Sequence, residues 1–555
     1  MLNGAQAMLK TLVKAGVRVC FTNPGTSEMH FVAALDGEPG MRAVLTLFEG
    51  VASGAADGYA RMSGEVAATL LHLGCGLGNG LANLHNARKA RVPILNIVGD
   101  HATYHVRYDA QLQSDIETVA RNVSTWVRTV KSPQTLCTDT AEAIAVSQGA
   151  PRQIATLIVP ADVSWSEGAQ VAPVQPVPAR PQVSPDRLQA IAGVLSAHPG
   201  KTLILLGGAA LYGEGLELAA RIAAHRGVRL LAEVFPARIA RGAGLPHVER
   251  LAYFAEMAAV QLRGVRHLIL VDAKSPVSFF AYPGKKSDLL PSGCEVHELA
   301  RLDEDAIASL RALAERLGAM NQAPQLQAPQ RPPLPQAHLS AEKTCQIIAH
   351  LLPERAIIVD EAQTSGVSLP MWSAGAPAHD VLTLTGGAIG QGLPLAVGAA
   401  IACPDRPVLA LIGDGAAMYT LQALWTLARE RLNVTTLILN NRSYAILNVE
   451  LQRVGAVAGA KSAEKARAQL DLQQPALDFV HLGQGMGVDS VRVRTCEDLI
   501  RELERCLATP GPHLIEALIP NEFTGIKLKL LPHLLRHLEH LPRPWAQAIK
   551  RKVAP

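Results

Sequence analysis

The sequence predicts an α/β protein built from three doubly wound parallel-sheet domains, and three observations lead there. The chain has 555 residues, about three times the usual domain length. Apolar, β-rich runs alternate with longer helical patterns, as in VRVCFTNPG, AVLTLFEG, AATLLHLG, VPILNIVGD and ATLIVPAD within the first 165 residues. Strands that alternate with helices build parallel sheets covered on both faces. Finally, residues 171–184 (VAPVQPVPARPQVS) and 321–337 (NQAPQLQAPQRPPLPQA) are too dense in proline for regular structure and read as stiff linkers. Domains are therefore expected at about 1–170, 185–320 and 338–525, followed by a basic tail over 526–555. In the middle block the strands are placed at Thr202–Leu206, Arg229–Ala232 and His267–Val271.

Composition narrows the class. With 48% hydrophobic and 18% charged residues the chain is a packed globular protein, and a net charge of +4 gives no electrostatic reason for a nucleic-acid partner. No uninterrupted apolar window of about 18 residues and no secretory leader pattern appear, so a soluble, cytoplasmic protein without a membrane partner is expected. The eight cysteines form no CxxC pair and read as reduced, mostly buried thiols. The tail carries seven Lys/Arg and one acid, Glu539, but Leu528, Leu530, Leu531, Leu534, Leu535 and Leu538 suggest a short amphipathic helix docked on the protein.

The most specific segment runs from Gly413 to Asn441. Pro407–Ile412 reads as a buried strand, Gly413-Asp414-Gly415 as a tight turn, Tyr419–Leu432 as a helix, and Val434–Leu439 as a second strand ending in Asn440-Asn441. A right-handed crossover leaves both strand ends on one sheet edge, so Asp414 is expected to meet Asn441. A carboxylate, a carboxamide oxygen and a nearby carbonyl form an incomplete oxygen shell, which suits an octahedral magnesium completed by phosphate and water. The glycines allow the backbone to approach the phosphates, and a helix starting near Ala416 aims its N–H groups at them.

GDGAAMYTLQALWTLA followed by LILNNRSYAIL resembles the thiamine-diphosphate-dependent decarboxylase and acetolactate synthase family, most of all its benzoylformate decarboxylase branch. The resemblance implies a pyrimidine-binding first domain, a central domain and a diphosphate-binding third domain, with thiamine diphosphate and Mg2+ as cofactors. It implies Asp414, Asn441 and the Ser443 carbonyl as metal ligands, with Gly413, Gly415, Ala416, Tyr444, Ala445 and Ile446 around the cofactor. In DEAQTS (360–365) it points to Gln363 and Thr364 as diphosphate contacts. In GGAIGQGLP (386–394) it makes Ile389 the residue that bends the cofactor, and gives the Gly387 carbonyl to the aminopyrimidine. The family's cofactor lies between two subunits, so a homodimer is the minimum and a homotetramer the expected assembly.

Three groups in the first domain are the catalytic candidates. Glu49 closes AVLTLFE before a small-residue helix over Gly50–Ala60; a buried carboxyl there can share a proton with a ring nitrogen. The family glutamate at this position bonds the aminopyrimidine and promotes removal of the thiazolium C2 proton. His72 ends AATLLH and matches the branch's active-site histidine, whereas acetolactate synthases generally lack one there. The glycine run after it fails the dinucleotide fingerprint, because the sixth position from Gly74 or Gly76 is Asn79 or Leu81. Asn23-Pro24-Gly25-Thr26 corresponds to the loop whose hydroxyl, here on Thr26, faces the substrate carboxylate.

Two pocket positions depart from the branch. The stretch SPVSFFAYPG (275–284) has no histidine where benzoylformate decarboxylases carry a second one, and Phe280 or Ala281 takes its place. Leu447 matches an apolar wall residue, but Glu450 stands where the branch has an aromatic one, which suits a more polar substrate. The resemblance thus implies a 2-oxo acid decarboxylase with carboligase activity, accepting a 2-oxo acid or aldehyde. The alternative is an acetolactate-synthase-like transferase joining two 2-oxo acids. LLGGAALYGEG (205–215) does not by itself specify a flavin site.

Overall fold

The computed structural model describes residues 2–454 and 464–521, with 537, 538, 541, 542, 544–546, 548 and 549 of the tail. Among the described residues the alternation of apolar runs produces eighteen strands: β1 (Val19–Asn23), β2 (Arg42–Leu45), β3 (Ala67–Leu71), β4 (Ile94–Asp100), β5 (Trp126–Thr129), β6 (Ile154–Pro160), β7 (Thr202–Leu206), β8 (Arg229–Ala232), β9 (Ile239–Arg241), β10 (Glu249–Arg250), β11 (His267–Val271), β12 (Glu295–Ala300), β13 (Ile357–Glu361), β14 (His379–Thr383), β15 (Val408–Gly413), β16 (Val434–Asn440), β17 (Asp489–Val493) and β18 (His513–Leu518). They form three sheets in the orders β2-β1-β3-β4-β6-β5, β10-β8-β7-β11-β12 and β17-β18-β16-β15-β13-β14-β9.

Each order reverses at an interior pair, and the crevice outside the carboxyl ends of that pair is where open sheets gather ligands. In the first sheet the pair is β1 and β3, which end at Asn23 and Leu71. In the third it is β13 and β15, which end at Glu361 and Gly413. In the central sheet it is β7 and β11, which end at Leu206 and Val271.

Two local expectations are corrected. The helix expected over Tyr419–Leu432 is split into one turn, Asp414–Ala417, and a helix over Ala423–Glu430. The break follows from packing: Thr420 Oγ1 donates to the Gly390 carbonyl at 2.8 Å, so residues between the two pieces serve the neighbouring loop. The third sheet is also not wholly parallel. β9, contributed by the stretch between β8 and β10, pairs antiparallel with β14.

The first and third domains share a core. The helix Glu49–Ser63 crosses the helix Gly392–Ala402 with backbones in contact, since a Cβ at Gly398 would lie 1.9 Å from the Ala55 carbonyl and one at Gly58 2.1 Å from that of Leu395. Small residues at such a crossing exchange side-chain burial for close approach. At one end of it a buried ion pair ties the first domain to the third sheet and to the stretch between β8 and β9. Arg61 Nη2 lies 2.7 Å from Asp57 Oδ2, and Arg61 Nη1 donates to the carbonyls of Thr383 at 2.8 Å and Ala237 at 3.1 Å. Asp57 accepts in turn from Gln391 Nε2 at 2.6 Å.

No disulfide joins any of the eight cysteines, and five of them are buried. No helix among the described residues is long and apolar enough to cross a membrane. In the tail, Leu538 and Ala546 are buried against Met257, Val260 and Val449, which is the docking expected of Leu538. The other leucines cited for that helix, and every basic residue of the tail, lie outside the described residues.

Candidate active site

The metal segment closes as the crossover requires. Asp414 begins the short helix after β15, and its buried carboxylate accepts from the backbone N–H of Gly415 at 2.8 Å and of Arg442 at 2.6 Å. Asn441, just beyond β16, turns its side-chain oxygen back to the Ser443 N–H at 2.9 Å and directs Nδ2 towards Ser365 Oγ at 3.4 Å. The three proposed ligands therefore share one turn, and the Gln363–Ser365 turn joins them. Gln363 opens that turn in the left-handed region, at φ 48°, and Thr364 is half-buried. Burial pushes the Asp414 carboxyl up to about 6, and among the described residues it has no ion-pair partner. A buried carboxylate and carboxamide without a cation are a donor set that a hard divalent ion completes. Around them, a Cβ at Gly415 would lie 2.3 Å from the Tyr444 ring, and Ala416 and Ala445 are buried.

A residue that motif reading passed over sets the next loop. Glu361, at the end of β13, accepts from the N–H groups of Gly390 (2.8 Å), Gln391 (3.0 Å) and Gly392 (2.8 Å). One carboxylate thus fixes the far side of the loop that carries Gly387 and Ile389. Burial raises the Glu361 carboxyl to about 7 against the pull of those three donors. Gly387 has φ 77°, and a Cβ on it would lie 2.6 Å from the Phe279 ring. Ile389 packs at the edge of the shared core.

In the first domain, Glu49 is the first residue of its helix and accepts from Asn79 Nδ2 at 3.0 Å. Gly76 is small because a Cβ there would stand 2.9 Å from Glu49 Oε1. The run GCGLGNG is accordingly part of the helix Leu73–Ala90, with Gly76 serving the glutamate. His72 caps that helix, and its Nδ1 lies 2.8 Å from Glu28 Oε2 and 3.4 Å from Ser27 Oγ. Glu28 is buried and also accepts from the Gly25 N–H at 2.7 Å and from Ser27 Oγ at 2.8 Å. Its pairing with Nδ1 fixes the proton there and leaves Nε2 for proton transfer. Asn23 Nδ2 donates to the Thr46 carbonyl at 2.8 Å, Pro24 is half-buried, and a Cβ at Gly25 would fall 2.2 Å from the His72 ring. Thr26 is exposed on the turn beside this pair, so Ser27 rather than Thr26 approaches His72.

Comparison with known proteins bears on the same two segments. Residues 2–120 match the model of the N-terminal TPP binding domain of thiamine pyrophosphate enzymes, and residues 365–517 match that of the C-terminal TPP binding domain. A Mycobacterium tuberculosis protein provisionally named as the acetolactate synthase large subunit IlvX is 57% identical over 94% of this chain and 99% of its own length. The benzoylformate decarboxylase of Pseudomonas aeruginosa is 30% identical over 92% of this chain and 97% of its own. The chain belongs to the thiamine pyrophosphate enzyme family. Within that family it falls in the group that holds acetolactate synthases and benzoylformate decarboxylases. The Rhodococcus jostii thiamine diphosphate-dependent 4-hydroxybenzoylformate decarboxylase superposes with a TM-score of 0.80 at 25% identity, covering 94% of this chain and 99% of that one.

Beyond the two segments matched to thiamine pyrophosphate enzymes, the central domain reaches the Gly387 loop. The histidine-free stretch supplies aromatic rings: Phe279 lies on Gly387, and Phe280 packs edge-on against it at 4.9 Å while remaining exposed. Tyr282 donates to Glu450 Oε2 at 3.0 Å. Arg453 stacks 4.0 Å above the Tyr282 ring and pairs with Glu256 at 3.0 Å and Glu450 at 3.6 Å. Glu450 is therefore part of a network joining the central stretch to the helix Ala445–Arg453, and its Oε1 has no hydrogen-bond partner among the described residues. Leu447, one turn earlier on that helix, is exposed, and Ile446 precedes it.

The central crevice is built differently. A Cβ at Gly208 would fall 1.9 Å from the Asp272 carboxylate, and one at Gly207 would lie 3.0 Å from Glu233 Oε1. Asp272 also accepts from Arg91 of the first domain, through both its carboxylate and its carbonyl. Gly207 and Gly208 of LLGGAALYGEG are thus accounted for by protein contacts.

Proposed function

We propose that this enzyme uses thiamine diphosphate and Mg2+ to cleave or form the C–C bond next to the carbonyl of a 2-oxo acid, chiefly as a decarboxylase with carboligase activity. The observation that carries this reading is His72, held by buried Glu28 in the crevice between β1 and β3 that also carries Asn23–Thr26. A histidine with one nitrogen fixed and the other available is the proton relay that release of a free aldehyde needs.

The side chains of Asp414 and Asn441 and the Ser443 carbonyl would hold magnesium and, with Gln363 and Thr364, the diphosphate. When bound, thiamine diphosphate supplies the carbon nucleophile and the electron sink for loss of carbon dioxide. Glu49 would share a proton with the aminopyrimidine ring, the Gly387 carbonyl would accept from its amino group, and Ile389 would pack against the cofactor. Thr26 orients the substrate carboxylate at the mouth of the first-domain crevice. Phe280 and Leu447 give the substrate pocket apolar walls, while Glu450, whose Oε1 lacks a hydrogen bond among the described residues but faces Arg453 at 3.6 Å, adds a polar group suited to a more polar substrate. With no second histidine in 275–284, proton delivery rests on His72, which leaves time for a second carbonyl to be joined.

The site is completed by a second copy of the chain. Among the described residues, no hydrogen bond or ion pair links Glu49 or His72 to the third domain. Exposed apolar side chains stand beside both half-sites: Met29 and Leu47 on one side, Met418, Tyr419 and Leu447 on the other. Two copies would bury these against each other, giving a homodimer at minimum and a homotetramer as the full assembly.

A second reading is an acetolactate-synthase-like transferase, favoured by the name of the Mycobacterium tuberculosis relative and by the missing second histidine. Incubation of the holoenzyme with a panel of 2-oxo acids, with and without an acceptor aldehyde, separates the two. Carbon dioxide with free aldehyde or a mixed hydroxyketone supports the decarboxylase. Carbon dioxide with two joined 2-oxo acids as the sole product supports the transferase, and no carbon dioxide from any acid overturns both.

A further inference from the structure

The central domain carries a side-chain cluster that the thiamine chemistry does not use. β11 and β12 are parallel neighbours in which His267 stands opposite Glu295 and Ile269 opposite His297. The two-residue repeat of a strand puts Glu295 and His297 on one face, and the register brings His267 to the same place. These residues lie at the amino ends of their strands, whereas the Gly207–Asp272 crevice lies at the carboxyl ends.

Three atoms converge there. His267 Nδ1 and His297 Nε2 are 3.2 Å apart, and Glu295 Oε2 lies 3.6 Å from the first and 4.0 Å from the second. No other hydrogen bond to either nitrogen is found among the described residues. Three points with those separations lie on a circle of about 2.1 Å radius, the length of a zinc–imidazole or zinc–carboxylate bond. Ligand atoms around a tetrahedral ion of that size are about 3.3 Å from one another, which falls within the spread observed here. The two imidazoles are largely enclosed, with side chains 14% and 19% exposed, and His267 is stacked on His198 at 4.9 Å and 15°. Their planes are thus set by the fold, while the Glu295 side chain, 71% exposed, is free to close on an ion.

We propose that His267, His297 and Glu295 form a binding site for one divalent transition-metal ion of the zinc class on the central domain. Two imidazoles and a carboxylate select a borderline ion over magnesium, which prefers an all-oxygen shell. Water fills the fourth position. The ion ties edge strand β12 to β11, so its role is to stiffen the central domain rather than to enter the reaction.

The test is metal content by mass spectrometry on holoenzyme kept in excess thiamine diphosphate and Mg2+, loaded with Zn2+ and freed of unbound ion by gel filtration. Wild-type protein should retain one zinc per chain more than His267→Ala or His297→Ala, and Glu295→Gln should weaken retention about tenfold. Melting with and without Zn2+ supplies an independent readout: the transition should rise in wild type and stay fixed in both histidine variants. Cobalt substituted for zinc should give visible absorption in wild type that His297→Ala lacks. Zinc retained equally by wild type and both histidine variants would place it on other groups, such as exposed Cys75, and overturn the proposal. So would wild-type protein that retains none.

Discussion

Glu28→Gln isolates the contribution of the histidine pair. Glu28 touches neither cofactor nor substrate in this reading; it is a positioning residue that receives three hydrogen bonds, from His72 Nδ1, the Gly25 N–H and Ser27 Oγ. Glutamine keeps the volume but replaces one acceptor oxygen with a donor. Because Oε2 accepts from both Nδ1 and the Gly25 N–H, the amide NH2 takes the Oε1 side towards Ser27, and the bond to Nδ1 becomes a neutral one in place of a charge-assisted one. Loss of a hydrogen bond to a charged partner costs about 1.5–3 kcal/mol, or about 10- to 150-fold in rate. The loss is bounded by the ~10²–10⁴ that general acid–base catalysis supplies in all. Steady-state release of aldehyde from the best 2-oxo acid of the panel should therefore show kcat reduced about 10²- to 10³-fold, with KM within about threefold. Thiamine diphosphate affinity should not change, because Glu28 lies on the first domain away from the Asp414 turn. Ser27→Ala, which loses the 3.4 Å approach to His72 and a 2.8 Å hydrogen bond to Glu28 but keeps the Glu28–His72 pair, should lower kcat less than Glu28→Gln does. Glu28→Gln turning over at the wild-type rate would refute the relay.

Other substitutions test the remaining parts. Glu49→Gln should lower turnover by about 10²-fold or more while leaving magnesium and thiamine diphosphate bound; unchanged turnover sinks its role. Asp414→Asn should weaken magnesium by more than about tenfold, and chelation of the wild type should abolish an activity that added Mg2+ restores. Arg61→Met strands the buried Asp57 carboxylate and should cost about 3–5 kcal/mol in urea unfolding, most of it recovered in Arg61→Met/Asp57→Leu; a melt equal to wild type would show the junction to be idle. Burial raises the Glu361 carboxyl from 4.5 to about 7, so its contribution to stability is complete below about pH 4.5 and is lost as the pH rises through about 7. The melting difference between wild type and Glu361→Gln should accordingly shrink from pH 5 to pH 8, and a difference independent of pH would contradict that burial.

Much of this was legible in the sequence because parallel sheets report themselves. Buried strands such as Thr202–Leu206 and His267–Val271 fall where continuous apolar runs stand between helical patterns, and Asp414 and Asn441 meet because a crossover has one hand. What escaped notice involved residues that act by shape. Glu28 follows Gly25 at the spacing of a capping box, a signal present in the sequence, but only the fold shows that its free oxygen lone pairs face His72. Glu361 was hidden inside DEAQTS because its partners are backbone N–H groups, which carry no residue identity. The sequence puts Phe280 or Ala281 at the place of the second histidine, but the ring that lies on Gly387 is that of Phe279, a contact no periodicity announces because loop registers are not set by one.

The three sheets also explain where the cofactor chemistry ends. Each has a crevice where its strand order reverses, so a ligand is geometrically possible at all three. The first is lined by a glutamate-held histidine beside a turn, and the third by a carboxylate and a carboxamide that lack a cation. Both crevices present polar groups whose hydrogen-bonding or charge is left open towards a ligand. In the central crevice the same position is taken by Asp272, whose carboxylate and carbonyl are both bound to Arg91, with Glu233 beside it raised to about 7 by burial. Its polar groups are satisfied by the first domain. Arg91 thus straps the first domain to the central one at this crevice.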